Sequence, residues 1–415
     1  MPSSGRLLKP LRTREEAQNN TCCTISRPDG DHITMDFSVP LELSDERAGF
    51  RSFLKQHLKP NLARWYKNGG VPAGFYREMG QHGWYGFRME GNRVIKNSAL
   101  RESLIQEELA KLSPGVAVAV LAHINLGLTG LFLFGSEKLK KKYGATAVNG
   151  EILMCLGNSE NRAGSDVAGI STRAEKVAEG WRLNGTKAFV TNGYIADLAV
   201  ITAVSDPQAS RNNRMSMFLV DLNAQGVHRT KLNKQVWIPS DLTRIQLKDV
   251  FVPADHLMGE QRKGLQQVLE TFTYSRVPIS ALTLGTALGA FELALDRAKQ
   301  RDIFGRRIID FQAKTFEFAD YFARMEAARL MLWKACDAMD KGLDFRQESS
   351  LAKYLAVQIA REVTPWAADM FGAVSVIFDH PIHKYPMDAW ASSLGEGTQD
   401  VQKLVIFREL MKRYS

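Results

Sequence analysis

Met215-Ser216-Met217-Phe218-Leu219-Val220 alternates along the chain with the two-residue period of a β-strand, and the block around it decides the fold. Trp181-Arg182-Leu183 repeats the alternation upstream, and Asp197–Ala203 and Thr243–Val250 also read as strands. Gly180 lies between two short runs. Asn184-Gly185 predicts a hairpin turn, because both residue types tolerate positive φ. The block from about residue 156 to 262 therefore reads as a compact β domain, a small barrel or sandwich.

On either side the period lengthens to three and four. Phe50, Phe53, Leu54 and His57 share one helical face, and Ser44 is placed to cap that helix with Asp45 and Glu46 in its first turn. Glu107, Glu108, Leu109 and Leu112 continue the style up to the loop signal Ser113-Pro114-Gly115. Val116–Gly135 is apolar for twenty residues, yet it contains His123, Asn125 and Thr129 among amphipathic helices. It predicts a buried helix, with no membrane association. After about residue 262, Leu265, Val268, Leu269 and Phe272 mark an apolar stripe. Pro278, which lacks an amide donor, should interrupt or restart the helix. Phe318, Phe322 and Met325 define the next helix, and Leu351–Ile359 the one after. The expected fold is mixed α and β, mainly α: a flexible tail (1–39), an N-terminal helical domain (40–155), the middle β domain (156–262) and a C-terminal four-helix bundle (263–415).

The 415 residues carry a net charge of +9, which favours anionic partners without choosing among them. Lys138, Lys140, Lys141 and Lys142 form the one dense basic cluster; it reads as a solvated helix face, so nucleic acid is not expected as a partner. Cys22, Cys23, Cys155 and Cys336 form no C-x-x-C pair and the histidines are scattered, so no metal site is expected. Reduced thiols suit a cytoplasmic protein. Met1–Arg14 is basic with no acid, and if it were a transit peptide the location would be the mitochondrial matrix. No G-x-G-x-x-G, P-loop or G-x-S-x-G elbow occurs, which removes the usual nicotinamide, nucleoside-triphosphate and serine-hydrolase readings.

Three segments remain: Ser159-Glu160-Asn161-Arg162-Ala163-Gly164-Ser165-Asp166, Phe189-Val190-Thr191-Asn192-Gly193, and a C-terminal part comprising Arg301-Asp302-Ile303-Phe304-Gly305-Arg306, Gln312 and Gly395-Glu396-Gly397-Thr398. In order and spacing they resemble the acyl-CoA dehydrogenase family, whose corresponding signatures are T-E-P-x-x-G-S-D, W-I-T-N-G, R-x-x-F-G…Q and E-G-T. The resemblance covers nearly the whole chain from about residue 40.

It implies a flavoprotein oxidoreductase of fatty acid metabolism, with FAD as cofactor, that dehydrogenates an acyl-CoA at its α,β bond. Glu396 would be the catalytic base. Ser159, Ser165, Phe189 and Thr191 would line the flavin, while Arg301, Phe304, Gln312, Gly372 and Thr398 would complete its site. Arg301 and Gln312 would reach the FAD of a neighbouring subunit, so a homotetramer or homodimer is implied, with electron-transfer flavoprotein as electron acceptor. Ser165, Arg276 and Gly395 would contact substrate. Some relatives carry the base just before the arginine that matches Arg276; here that residue is Ser275, so Glu396 has no rival.

The chain also departs from the family pattern. Ser159 replaces Thr, Asn161 replaces Pro, and Arg162 adds a charge. Asp369-Met370-Phe371-Gly372-Ala373 replaces Q-x-x-G-G, and Met387 replaces the arginine usual before Asp388. These mark a divergent member. Gly395 stands where a tyrosine commonly covers the acyl group, which implies room for a branched or cyclic acyl chain. The alternatives are a carrier-protein-bound acyl group, an oxidase, a flavin monooxygenase, or a DNA-associated member of the same fold.

Overall fold

The computed structural model describes residues 39–414 and, before them, the backbone of strands β1 (Cys23–Ser26) and β2 (His32–Met35), paired antiparallel with Cys23 opposite Met35. Up to residue 38 the rest of the expected tail lies outside the described residues. The chain separates into two compact units at Glu46. Helix α1 spans Leu41–Phe53, and the Ser44 amide donates to the Pro40 carbonyl at 3.0 Å. Ser44 is therefore inside the helix and not its cap; the carbonyl of Pro40, a residue with no donor to leave orphaned, opens the ladder instead.

The remaining N-terminal elements are α2 (Leu62–Asn68), α3 (Ala73–Gln81), the hairpin β3 (Phe87–Glu90) and β4 (Arg93–Lys96), α4 (Ala99–Leu112), α5 (Pro114–Leu121), α6 (Thr129–Phe134) and α7 (Glu137–Val148). Phe50, Phe53 and Leu54 are buried as their spacing predicts, and His57 stacks on Phe53 with ring centroids 4.5 Å apart. The apolar run is helical over Pro114–Phe134, with a π-helical stretch at Ala122–Leu128. It is long and apolar enough to cross a membrane, but 83% of its apolar window is buried inside the protein, where it forms core.

The middle of the chain forms one sheet from β5 (Met154–Gly157), β6 (Arg173–Val177), β7 (Gly180–Thr191), β8 (Leu198–Val204), β9 (Met215–Asp221), β10 (Val227–Lys231), β11 (Leu242–Pro253) and β12 (Leu257–Met258). The strand order is β10-β11-β7-β6-β8-β9-β12, with β5 parallel beside β8. Asn184-Gly185 is not a turn, because β7 runs straight through it and the chain reverses earlier, between Val177 and its partner Gly180. The pair answers to contact instead. The Asn184 amide exchanges hydrogen bonds of 2.9 Å with Asp249 at a β11 bulge, and a Cβ at Gly185 would lie 2.4 Å from the Thr172 hydroxyl.

Helix α8 (Gly264–Gln300) then runs for 37 residues, followed by the short hairpin β13 (Asp302–Ile303) and β14 (Arg306–Arg307), α9 (Gln312–Asp340), α10 (Arg346–Asp369), α11 (Lys384–Ala391) and α12 (Gln399–Tyr414). Pro278 does not interrupt α8. Packing against α4 and α10 outweighs a local cost of about 3 kcal/mol. Two glycines allow that approach: a Cβ at Gly285 would sit 2.4 Å from the Glu107 carbonyl oxygen, and one at Gly289 2.3 Å from that of Lys111. The apolar stripes are narrower than their spacing suggests, since Val268, Phe318 and Met325 are buried but Leu269 and Phe322 are largely exposed. The mainly helical three-part fold, with a sheet domain between two helical parts, is the one expected.

Candidate active site

Glu160 folds the first motif. Its carboxylate accepts from the Ser171 amide (2.8 Å) and hydroxyl (2.6 Å), the Thr172 amide (3.0 Å) and hydroxyl (2.6 Å), and Lys187 Nζ (2.9 Å). Burial alone would raise its pKa; Lys187 and the hydroxyls override this and bring it down to about 2. Lys187, fully buried, is pulled by that burial to about 8, with Glu160 opposing. The loop is thus pinned against β7, where the Ala188 amide also donates to the Ser159 carbonyl at 2.8 Å. Pinning it leaves Arg162 and Ser165 exposed on the rim and Ser159 half-buried.

The second motif ends β7 beside that loop. Phe189 has φ +58° and is 59% exposed, an aromatic face turned to solvent, and Thr191 is half-buried. Asn192, also at positive φ, is buried; its amide donates to the Ala119 carbonyl at 2.7 Å and accepts from the Tyr76 hydroxyl at 3.2 Å. One asparagine therefore ties the end of β7 to the N-terminal helices. The structure sets Ser159 beside the end of β7 that carries Phe189 and Thr191, and Ser165 lies further along the loop that Ser159 opens.

Glu396 lies in the loop before α12, with φ +55° followed by Gly397 at φ +92°. A non-glycine residue held there stores backbone strain of about 1–3 kcal/mol. Its Oε2 is shut off from solvent and has no hydrogen-bond partner among the described residues, although the residue as a whole is only half-buried. Burial raises the carboxyl far above the ordinary carboxylate range; Lys353, the neighbouring Ser275 hydroxyl and the charge of Arg276 oppose it. Arg276 is itself buried with an unpartnered Nε, and burial lowers it while Glu396 opposes. Ser275, Arg276 and Glu396 thus meet at one point between α8 and the α12 loop. Gly395 is exposed, and a Cβ there would meet nothing within 4 Å. The Thr398 hydroxyl faces the Val401 amide (3.4 Å) at the start of α12.

The remaining candidates gather elsewhere. Arg301 and Gly372 line one pocket of about 640 Å³ with Arg297, Lys314, Glu317 and Phe371, among others. Phe304, 97% exposed at φ +50°, and Gln312, exposed at the start of α9, lie on the adjoining segment and do not line it. Gly372 adopts φ +57° with open space on its Cβ side, so the position asks for glycine on backbone grounds.

Sequence reading passed over four of these residues. Glu160 was hidden inside a motif read for its small residues, and Lys187 stands two residues before the Phe189 motif, outside it. Arg297 precedes the arginine motif by one helical turn. Lys353 is a lone lysine on a buried face of α10 that also carries Ser349, Ser350, Ala356, Val357 and Ala360, which is the one signal that could have found it. The basic cluster on α7 behaves as expected of a solvated face: Lys138 pairs with Asp255 at 2.7 Å and Lys140 with Glu137 at 3.0 Å.

These features bear on whether a flavin dinucleotide fits. The Arg297 guanidinium stands over the Phe371 ring at 5.7 Å with a buried, unpartnered Nε, so the pocket has an unmet demand for an acceptor. Arg297, Arg301 and Lys314 outnumber the carboxylates of Glu317 and Asp369 there, which suits a pyrophosphate. Exposed Phe189 offers a flat apolar surface for an aromatic ring system. The residues present fit the group.

Sequence models of the acyl-CoA dehydrogenase N-terminal, middle and C-terminal domains match residues 42–151, 155–250 and 262–411. The chain belongs to the acyl-CoA dehydrogenase family, and it is an oxidoreductase with FAD as its cofactor. Subunit CarC of the caffeyl-CoA reductase–Etf complex from Acetobacterium woodii is 32% identical over 351 residues, 84% of this chain and 92% of that one. The solved butyryl-CoA dehydrogenase of Megasphaera elsdenii is 30% identical, with a TM-score of 0.86, covering 91% of this chain and all (100%) of that one. PigA, solved with FAD and proline, is 26% identical with a TM-score of 0.86, again over 91% of this chain and 100% of its own.

Proposed function

We propose that Glu396 removes the α-proton of an acyl-CoA thioester whose β-hydride leaves to the cofactor, so that a Cα=Cβ double bond forms. The observation that carries this reading is the unpartnered Oε2 of Glu396, buried on a positive-φ loop. A thioester α-proton is weakly acidic, so its base must be a carboxylate held away from water and free of competing donors. Burial supplies the first condition and the missing partner the second. Bound FAD supplies the two-electron acceptor for the hydride. Thr191 and Phe189 would hold the flavin ring at the end of β7, with Ser159 and Ser165 beside it, and Arg276 and Ser275 would orient the base. Arg301, Phe304, Gln312 and Gly372 would serve the cofactor of a neighbouring copy, in a homodimer or homotetramer. Thr398 would complete the cofactor site from the α12 loop.

The open space at Gly395 supports a branched or cyclic acyl group over a straight one. Electron-transfer flavoprotein is the acceptor this reading assigns, supported by the Etf complex in which the CarC relative is a subunit. Anaerobic addition of a panel of straight, branched and cyclic acyl-CoA esters to the flavoprotein tests the reading. Visible absorbance should bleach with one class, branched or cyclic, and stay oxidised in Glu396→Gln. Bleaching by butyryl-CoA in preference to every bulkier ester would refute the substrate class; no bleaching by any thioester would refute the reaction.

A further inference from the structure

Lys353 sits in the middle of α10, fully buried, and the family motifs give it no part. Its Nζ donates to the Gly395 carbonyl and, at 2.5 Å, to the Gly397 carbonyl. Those two carbonyls flank Glu396. The ammonium thus takes hold of the backbone on both sides of the base, while Oε2 is left without a partner. From the opposite side Gln402, on α12, donates to the Glu396 carbonyl at 3.2 Å and to the Gly397 carbonyl at 2.9 Å.

We propose that Lys353 is a positioning residue for the reaction: by clamping the carbonyls of residues 395 and 397 it holds the strained loop that aims the Glu396 carboxylate. The inference rests on the reading of Glu396 as the base. A positive φ at a glutamate persists only where surrounding structure over-determines it, and two hydrogen bonds from one buried ammonium do so. The dependence is mutual, because a lysine buried without acceptors would be costly and these carbonyls are the acceptors it has. Lysine suits such a clamp because its tetrahedral head gives three donors from a single point, whereas a planar guanidinium would spread them.

The charged groups that act on Glu396 are Lys353 from α10 and Arg276 from α8, with the Ser275 hydroxyl, which donates to the Phe272 carbonyl at 3.2 Å, close by. Burial pulls Lys353 well below an ordinary lysine; Glu396 opposes that shift and Arg276 adds to it. The clamp therefore has an electrostatic consequence, since any positive charge kept on Lys353 favours the ionised base.

The test compares wild type with Lys353→Met, which keeps the length and removes the donors, and Lys353→Gln, which keeps neutral donors. The flavoproteins are mixed anaerobically with the best thioester, and the rate and substrate dependence of bleaching are followed across pH. Lys353→Met should bind flavin and thioester within about threefold of wild type, yet bleach about 10²-fold more slowly, the cost of a reacting group misplaced by about 1 Å. The acid limb of its rate profile should move to higher pH. Lys353→Gln should recover part of the rate without restoring the acid limb. A Lys353→Met protein with wild-type rate and acid limb would overturn the proposal. So would a pair of variants that merely hold less flavin, the bound fraction bleaching as wild type does. If wild type is itself not reduced by any thioester, the failure belongs to the assignment of the base and not to the clamp.

Discussion

Glu160 and Glu396 are both glutamates in signature loops, and their surroundings are opposite. The carboxylate of Glu160 accepts from five donors and lies against a buried lysine, which holds it ionised down to about pH 2. Glu396 has a buried oxygen that nothing satisfies, on a backbone that a glutamate does not adopt freely. A fully satisfied polar group rigidifies; a buried unsatisfied one needs a reason, which the proposed function finds in proton transfer. Glu160 is a latch of this molecule, and on the function proposed above Glu396 is its tool. The sequence singled out Glu396 by resemblance and gave Glu160 no role; their hydrogen bonds show how differently the two are held.

The largest effect that would break this comparison concerns the latch. Glu160→Ala leaves Lys187 buried and unpaired, so urea unfolding should report a loss of about 3–5 kcal/mol. A loss below about 1 kcal/mol would show that the loop is not held by this pair. Glu396→Gln should leave the urea midpoint nearly unchanged, because no hydrogen bond to Oε2 is forfeited. At Gly395, replacement by Tyr should fill the open space and shift preference from bulky to straight acyl-CoA by about tenfold. Equal loss for both ester classes would mean that the space is not where the acyl group lies.

pH sharpens the contrast. The raised Glu396 carboxyl binds its proton first, so the rate of bleaching should fall on acidification above the ordinary carboxylate range near ~4.3. The lowered Glu160 pKa works the other way: its contribution to stability is fully present above ~4.3 and is lost only as the pH falls through about 2. Activity should therefore disappear while circular dichroism still reports a folded protein. Coincident loss of both would erase the distinction. The smallest effect is expected from Arg162→Ala, within about 0.5 kcal/mol in stability, since that side chain is exposed on the rim.

Much of this was legible from residue order. The change from period two to period three or four located the sheet between two helical regions, and Phe50, Phe53 and Leu54 were placed in the core by spacing alone. The misses share one cause, which is tertiary contact overriding local preference. Asn184-Gly185 looks like a turn until β11 and Thr172 are packed against it, and Pro278 looks like a break until α4 and α10 are laid along α8. The same limit applies at the site. Spacing could bring Glu396 and Gly395 together because they are neighbours, and by resemblance could nominate Arg301 and Gly372. It could not bring Lys353 to residue 395, 42 positions further along, because that contact exists only once α10 packs under the α12 loop.

The most direct measurement of the central claim isolates the base from the hydride step. An acyl-CoA with α-hydrogens but no β-hydrogen is incubated anaerobically in D2O with the flavoprotein, and loss of the α-proton is followed by NMR. Wild type should exchange the proton, and Glu396→Gln should slow that exchange by about 10²–10⁴-fold, the range for loss of a general base. Exchange at the wild-type rate in Glu396→Gln would contradict the account, and the unpartnered oxygen would then need another explanation.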